Sequence, residues 1–222
     1  MTPPQIKEII DLAVPMRSMN TPVYPGYPQP LRTSFSNIRD DGYASFVWTF
    51  AEHTSTHVDA PVHMVSRGKP VEKMPLTHYV GRGVVLDFSK RPKRFQIGPQ
   101  HVKGALKAAG HSKDVGKGWI VLFHLNYTSR ADSPEWMEHP DITKEAAEYL
   151  ISLGVEAVGI DAPGPDHAPF IAHKTFLPAD VVIFENLNNL DKLLGKEFVF
   201  VGTPIALAGG TAGITRPVAL LM

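Results

Sequence analysis

Eleven consecutive residues, His53-Thr54-Ser55-Thr56-His57-Val58-Asp59-Ala60-Pro61-Val62-His63, set the tightest constraint on how this chain can fold. Three imidazoles and a carboxylate fall within a stretch that spans roughly 33–36 Å when fully extended. Nitrogen and oxygen donors at this density suit a borderline cation such as Zn²⁺ or Mn²⁺. A single histidine pair would read as packing or surface instead. On an ideal strand His53, Ser55, His57 and Asp59 share a face. The His53 and His57 Cα atoms would then lie about 13 Å apart, at the limit of what two imidazoles can bridge. The chain must therefore bend at Thr54-Ser55-Thr56, or enter a helical turn that sets i and i+4 side by side. Pro61 stops any ladder and leaves His63 just past the bend, near the metal.

A length of 222 residues suits one domain, 1–222, with a sizeable core. Lys plus Arg and Asp plus Glu both number 22, so nucleic acid and anionic membrane surfaces are poor partners. Cysteine is absent, which removes disulfides and thiolate–zinc sites together. With no Gly-x-Ser-x-Gly elbow either, a covalent nucleophile is the weaker idea. No apolar run is long enough to span a bilayer, and Met1 to Glu8 lacks a basic-then-apolar signal pattern. The expectation is a cytoplasmic protein. Twenty prolines against 18 glycines predict many loops and short elements.

In chain order, strands are expected at Glu8–Val14, Thr33–Ile38 and Ala44–Phe50, the latter two paired. Phe46, Trp48 and Phe50 fall on one face at period two, which predicts core packing or, for Trp48, a wall of the pocket. The turn-rich Pro22–Pro28 loop reads as a rigid structural connection or as a lining of the pocket, with Tyr24 as its candidate residue. Further strands are expected at Gly83–Phe88, Trp119–Leu125, Ala157–Ile160, Val181–Phe184, Phe198–Val201 and Val218–Leu221. Helices are expected from Pro99 to Ala109, from an N-cap at Thr143 to Gly154, and briefly around His173. His124 reads as core or as a residue behind the ligands, ahead of a ligand itself. Helix and strand alternate only in the second half, which favours a mixed α/β or β/β/α fold over a doubly wound one.

The eleven-residue stretch resembles the HxGTHxDxPxH signature of the metal-dependent cyclase hydrolases, which include bacterial kynurenine formamidases, isatin hydrolases and polyketide-cyclase relatives. Ser55 stands where the family usually has glycine, and carries strain if the bend needs φ > 0. The similarity runs from Asp11 to the C-terminal strands and implies a mixed-sheet β/β/α, swivelling-domain-like fold. It also implies a histidine followed twelve residues later by a glutamate, the spacing of His173 and Glu185. His53, His57 and Asp59 would then hold one ion, and His173 and Glu185 would complete a second site with Asp59 bridging. Asp161, Asp166 and His167 are candidates for orienting ligand histidines, and His167 is also the rival to His173.

The resemblance thus implies a hydrolase of an amide or cyclic amide using one or two Zn²⁺ or Mn²⁺ ions. A bound cation lowers the pKa of water to about 7 and polarises a carbonyl. His63, not needed as a ligand, would carry the proton from water to the leaving nitrogen. N-formylkynurenine is the first substrate expected, with another small cyclic amide or lactone, or polyketide cyclisation, as alternatives. A catalytically silent metal-binding scaffold is the non-enzyme alternative, against which His63 beside a full ligand set argues. Family members are generally oligomeric, so a homodimer or homotetramer is expected.

Overall fold

The computed structural model describes residues 5–222. Thirteen strands are assigned among them: β1 (Glu8–Asp11), β2 (Leu31–Ser36), β3 (Ser45–Thr49), β4 (His57–Asp59), β5 (Val80–Asp87), β6 (Gln96–Ile97), β7 (Trp119–His124), β8 (Asp141–Ile142), β9 (Ala157–Ile160), β10 (Val182–Glu185), β11 (Phe198–Val201), β12 (Ala212–Ile214) and β13 (Val218–Leu221). Four α-helices join them: α1 (Ile38–Asp41), α2 (Pro99–Ala108), α3 (Lys144–Ser152) and α4 (His173–Phe176).

Nine strands form one mixed sheet in the order β1-β13-β11-β5-β7-β9-β10-β4-β12. Its centre, β5-β7-β9-β10, is parallel, because α2, α3 and α4 each carry the chain back across the same face. The flanking pairs on either side are antiparallel. This is a mixed α/β fold, as the alternation of elements from Gly83 onward implied.

The apolar runs explain why the centre is buried on both sides. All six residues of β7 are buried. Val121 and Phe123 face the helices, where they pack with Val102, Leu106, Ala147, Leu150 and Phe176. Ile120 and Leu122 face the other side, against Val85, Phe184 and Phe200. Truncating a fully buried ring such as Phe123 to Ala would cost about 3–5 kcal/mol. Close approach dictates Gly159 in β9: a Cβ there would sit 2.6 Å from Leu122 Cδ2 and 2.7 Å from Leu187 Cδ1.

The β2–β3 hairpin departs from expectation. It pairs as predicted, with a bulge between Ser34 and Ser36, but stands apart from the nine-stranded sheet. Phe46 and Trp48, expected in core or pocket, are 46% and 37% exposed. Period-two patterning marks a face that can be covered, and among the described residues only the Arg32 side chain lies over Phe46.

Candidate metal centre

β4 lies between β10 and β12, and its three residues are buried. Antiparallel register sets Glu185 opposite His57, so adjacent strands deliver an imidazole and a carboxylate to one place. Just upstream the chain turns through Ser55 at φ 57°, a left-handed conformation that costs a residue with a Cβ roughly 1–2 kcal/mol. Ser55 offsets this by donating its hydroxyl to Val14 O at 2.7 Å. The turn folds His53 back until its Nδ1 is 3.3 Å from His57 Nε2. The bend is therefore a left-handed turn, not a helical one. Downstream, Pro61 opens a single 3₁₀ turn, Pro61–His63. That turn returns His63 to the cluster, its ring 4.1 Å from that of His53 and its Nε2 4.0 Å from Asp59 Oδ2.

The two carboxylates each face two ways. Asp59 Oδ1 stands 2.9 Å from His53 Nδ1 and 3.2 Å from His57 Nε2, while Oδ2 is 3.7 Å from His173 Nε2. Glu185 Oε2 is 3.3 Å from His57 Nε2, and Oε1 is 3.2 Å from His173 Nε2. At Gly164 an added Cβ would lie 3.4 Å from Glu185 Oε1 and 3.5 Å from His173 Cε1, so the floor of the cluster leaves little room for a side chain there.

Outer partners fix each ring. His57 Nδ1 donates to Ser55 O at 2.9 Å. His53 Nε2 donates to Thr211 Oγ1 at 3.0 Å, and that hydroxyl in turn donates to Glu52. His173 Nδ1 donates to Asp166 Oδ1 at 2.6 Å. In each case the remaining nitrogen turns its lone pair toward the shared centre, the arrangement found around metal-ligating histidines. Asp59 Oδ1 is buried and makes no directed hydrogen bond, although two nitrogens stand within 3.2 Å of it. An orphaned carboxylate oxygen ringed by imidazole nitrogens fits a cation, which would satisfy it and them together.

Without an ion, the inward nitrogens of His57 and His173 hold protons against the carboxylates, and a cation would take the place of those protons. Burial would depress His57 and His173, yet Asp59 and Glu185 at the first, and Asp166 and Glu185 at the second, hold both up to about 10. Burial would raise the Asp59 carboxyl, but His53 and His57 keep it well below the usual range. Glu185 is lowered too: burial and Asp59 oppose this, and His173 and His57 prevail. His63 moves the other way. Burial lowers it, assisted by His53 and His173 against the pull of Asp59, so its ring is a neutral base at neutral pH.

The structure thus brings His53, His57, Asp59, His63, His173 and Glu185 together. Asp59, His63 and His173 could also hold an ion as a set of their own. Of the three residues expected to orient ligands, only Asp166 hydrogen-bonds one of the clustered histidines, His173. Asp161 accepts instead from His124 Nδ1 at 2.7 Å and from the Leu125 and Asn126 amides, because the end of β9 lies beside the end of β7. His167 pairs with Asp141, donates to Met137 O at 2.7 Å and stacks on His139, away from the rivalry with His173. Trp48 lies outside the cavity over the cluster. Tyr24 does line it, together with Tyr27, Met64, Trp136 and Phe170, around about 230 Å³. No periodicity marks Trp136, in the short 3₁₀ helix Pro134–Glu138, or Phe170, in a turn. Glu52 and Thr211 were likewise missed, because their pairing spans 159 residues.

The family model described as "Putative cyclase" matches residues 10–167. The kynurenine formamidase of Salinibacter ruber is 29% identical over 208 residues, covering 89% of this chain and 91% of that protein. A potential metal-dependent hydrolase with cyclase activity superposes with a TM-score of 0.79 at 28% identity, covering 97% of this chain and 98% of the other. An isatin hydrolase bound to the product analogue thioisatinate shares the fold, with a TM-score of 0.87 at 24% identity over 96% and 92% of the two chains.

Proposed function

The chain belongs to the cyclase family, and from that premise we propose that it is a metal-dependent hydrolase opening the C–N bond of an amide. An N-formylated aromatic amine of the N-formylkynurenine type is the first substrate class. The observation that carries this reading is Asp59, buried, with one oxygen facing His53 and His57 and the other facing His173. We assign His53, His57 and Asp59 to one Zn²⁺ or Mn²⁺ ion, and Asp59, His173 and Glu185 to a second. A bound cation supplies an acidified water and a polarised carbonyl.

The protein's own groups do the rest. Asp166, Ser55 O and Thr211 hold the three ligand rings in the tautomers that leave their lone pairs inward. His63 is neutral, part-buried and beside the carboxylate pair, so it accepts the proton of the attacking water. It returns that proton to the nitrogen as the C–N bond breaks, releasing the amine and formic acid. Tyr24, Tyr27, Trp136 and Phe170 wall the cavity and suit an aromatic ring beside the scissile amide. The same walls suit a fused cyclic amide, which is the second reading.

We further take residues 1–222 as a single domain that self-associates as a dimer or tetramer. The test is turnover of N-formylanilines, isatin-like lactams and aryl lactones by metal-stripped protein reloaded with Zn²⁺ or Mn²⁺. Formanilide hydrolysis that is lost on chelation and restored by metal is the expected result. Equal activity with and without metal would sink the reading, and lactam turnover alone would select the cyclic substrate.

A further inference from the structure

Glycine and asparagine fill most of the left-handed backbone positions of this chain, where lacking a Cβ, or bonding locally, lowers the cost. Phe170, at φ 61°, is the one aromatic residue to sit there among those described. A bulky side chain in this region is an outlier, and such strain persists only where the surroundings over-determine it. Here they do. The Phe170 amide donates to His167 O at 2.8 Å, and its carbonyl accepts from the Lys174 amide at 3.0 Å. Lys174 Nζ donates to Pro169 O at 2.7 Å. His167, paired with Asp141 and stacked on His139, anchors the start of the turn, and Asp166 holds its end through the Ala172 amide. None of these contacts uses the phenyl ring, and glycine at 170 would keep them all without strain.

The ring therefore has another use. It lines the cavity over the metal cluster and is only part-buried. It stands at 90° to the His173 imidazole with centroids 5.8 Å apart, an edge-to-face pair. Backbone strain held by the surroundings is characteristic of ligand clamps.

We propose that Phe170 determines specificity by seating the aromatic ring of the substrate, and that the left-handed turn is kept to hold its phenyl plane beside His173. The inference rests on the hydrolase reading above and deepens it by naming the residue that selects an aryl amide over an alkyl one. An aryl amide carries a flat ring one bond from its scissile nitrogen. Packed on a phenyl that has no freedom to swing away, that ring sets the C–N bond over the cluster at little cost in ordering. A saturated ring of equal size is puckered and lacks the quadrupole that aromatic pairs exploit. A fused lactam presents the same flat ring, so the seat serves either substrate.

Two ketones test this by calorimetry on the metal-loaded full chain. Phenylacetone and cyclohexylacetone place a methylene where the amide has nitrogen, so neither can be cleaved at a C–N bond. The saturated ketone is the more hydrophobic, so a merely greasy cavity would favour it. The unaltered protein should instead prefer phenylacetone by roughly 3–10-fold, the worth of one aromatic pair. Phe170→Gly should abolish or reverse that preference. Phe170→Leu, which keeps apolar bulk and the left-handed backbone, should do the same, and it decides the matter if the glycine variant fails to fold. Unaltered protein that binds the two ketones equally, or favours the saturated one, overturns the proposal, as does a folded variant that keeps the parent's preference. Failure of the hydrolase reading shows separately: formanilide left intact by metal-loaded protein sinks that reading, while the ketone preference still decides the seat.

Discussion

Asp166→Asn isolates how far the ligand rings depend on what lies behind them. Asp166 is buried and accepts twice, from His173 Nδ1 through Oδ1 and from the Ala172 amide through Oδ2. Asparagine keeps one acceptor and turns the other into a donor. If its NH₂ faces Ala172, a buried backbone N–H loses its partner at a cost of about 1–3 kcal/mol. If it faces His173, the ring must move its proton to Nε2, which removes the lone pair aimed at Asp59 and Glu185. Either outcome weakens cation binding, and loss of such an outer partner typically costs 10–100-fold, or about 1.4–2.7 kcal/mol. The assay is competition for Zn²⁺ against a chromogenic chelator, read beside a thermal melt of the metal-free variant. A dissociation constant within about threefold of the parent protein, together with an unshifted melt, would refute the claim that Asp166 holds His173 in place.

His63→Ala should keep metal content near normal while turnover falls about 10²–10⁴-fold, with the residual rate rising with pH. Metal loss as complete as that of His57→Ala would instead make His63 a ligand. The stability of the metal-free protein should depend on pH with a definite sign. His57 and His173 are raised from 6.5 to about 10, so their stabilisation is full below pH 6.5 and fades as pH rises toward 10. Asp59 and Glu185 are lowered, so theirs is present above 3.8 and 4.5 and fades in stronger acid. Melting temperatures after chelation should therefore fall as pH rises from 6.5 toward 10, and a higher melt at pH 9 than at pH 6 would contradict this assignment. Ser55→Ala keeps the left-handed strain but loses the bond to Val14, so chemical denaturation should show a loss of about 1–2 kcal/mol. An unchanged midpoint would mean the hydroxyl contributes nothing.

What was legible in the sequence was local. His53, His57, Asp59 and His63 lie within one bend, so their spacing alone demanded convergence, and the strain at Ser55 followed from the need to turn there. Strands β9, β11 and β13 have the boundaries expected of them, because four-residue apolar runs rich in β-branched and aromatic residues between turn residues are too short for helices and suit strands. The resemblance, not periodicity, supplied His173 and Glu185. The short strand β12 was missed, since three residues carry no period and gain their structure from β4. Asp161 was misplaced because a carboxylate at a strand end takes whichever donors its neighbour offers, and that neighbour ends in His124. The stripe of Phe46 and Trp48 was read as core or pocket wall, and both rings instead stand part-exposed on a hairpin apart from the main sheet.

The register that sets Glu185 against His57 also fixes when the centre can exist. Ser55 and Asn186, bonded beside it, are 131 residues apart in sequence, so the loop that closes the site spans most of the chain. Contacts of that range form late, after the entropy of closing the loop has been met. During synthesis the three proposed ligands His53, His57 and Asp59 emerge long before β10, and Glu185 joins them only when that strand docks. The proposed ligand set is therefore completed only once β10 has docked: a chain truncated before β10 can present His53, His57 and Asp59 but cannot bring Glu185 against His57.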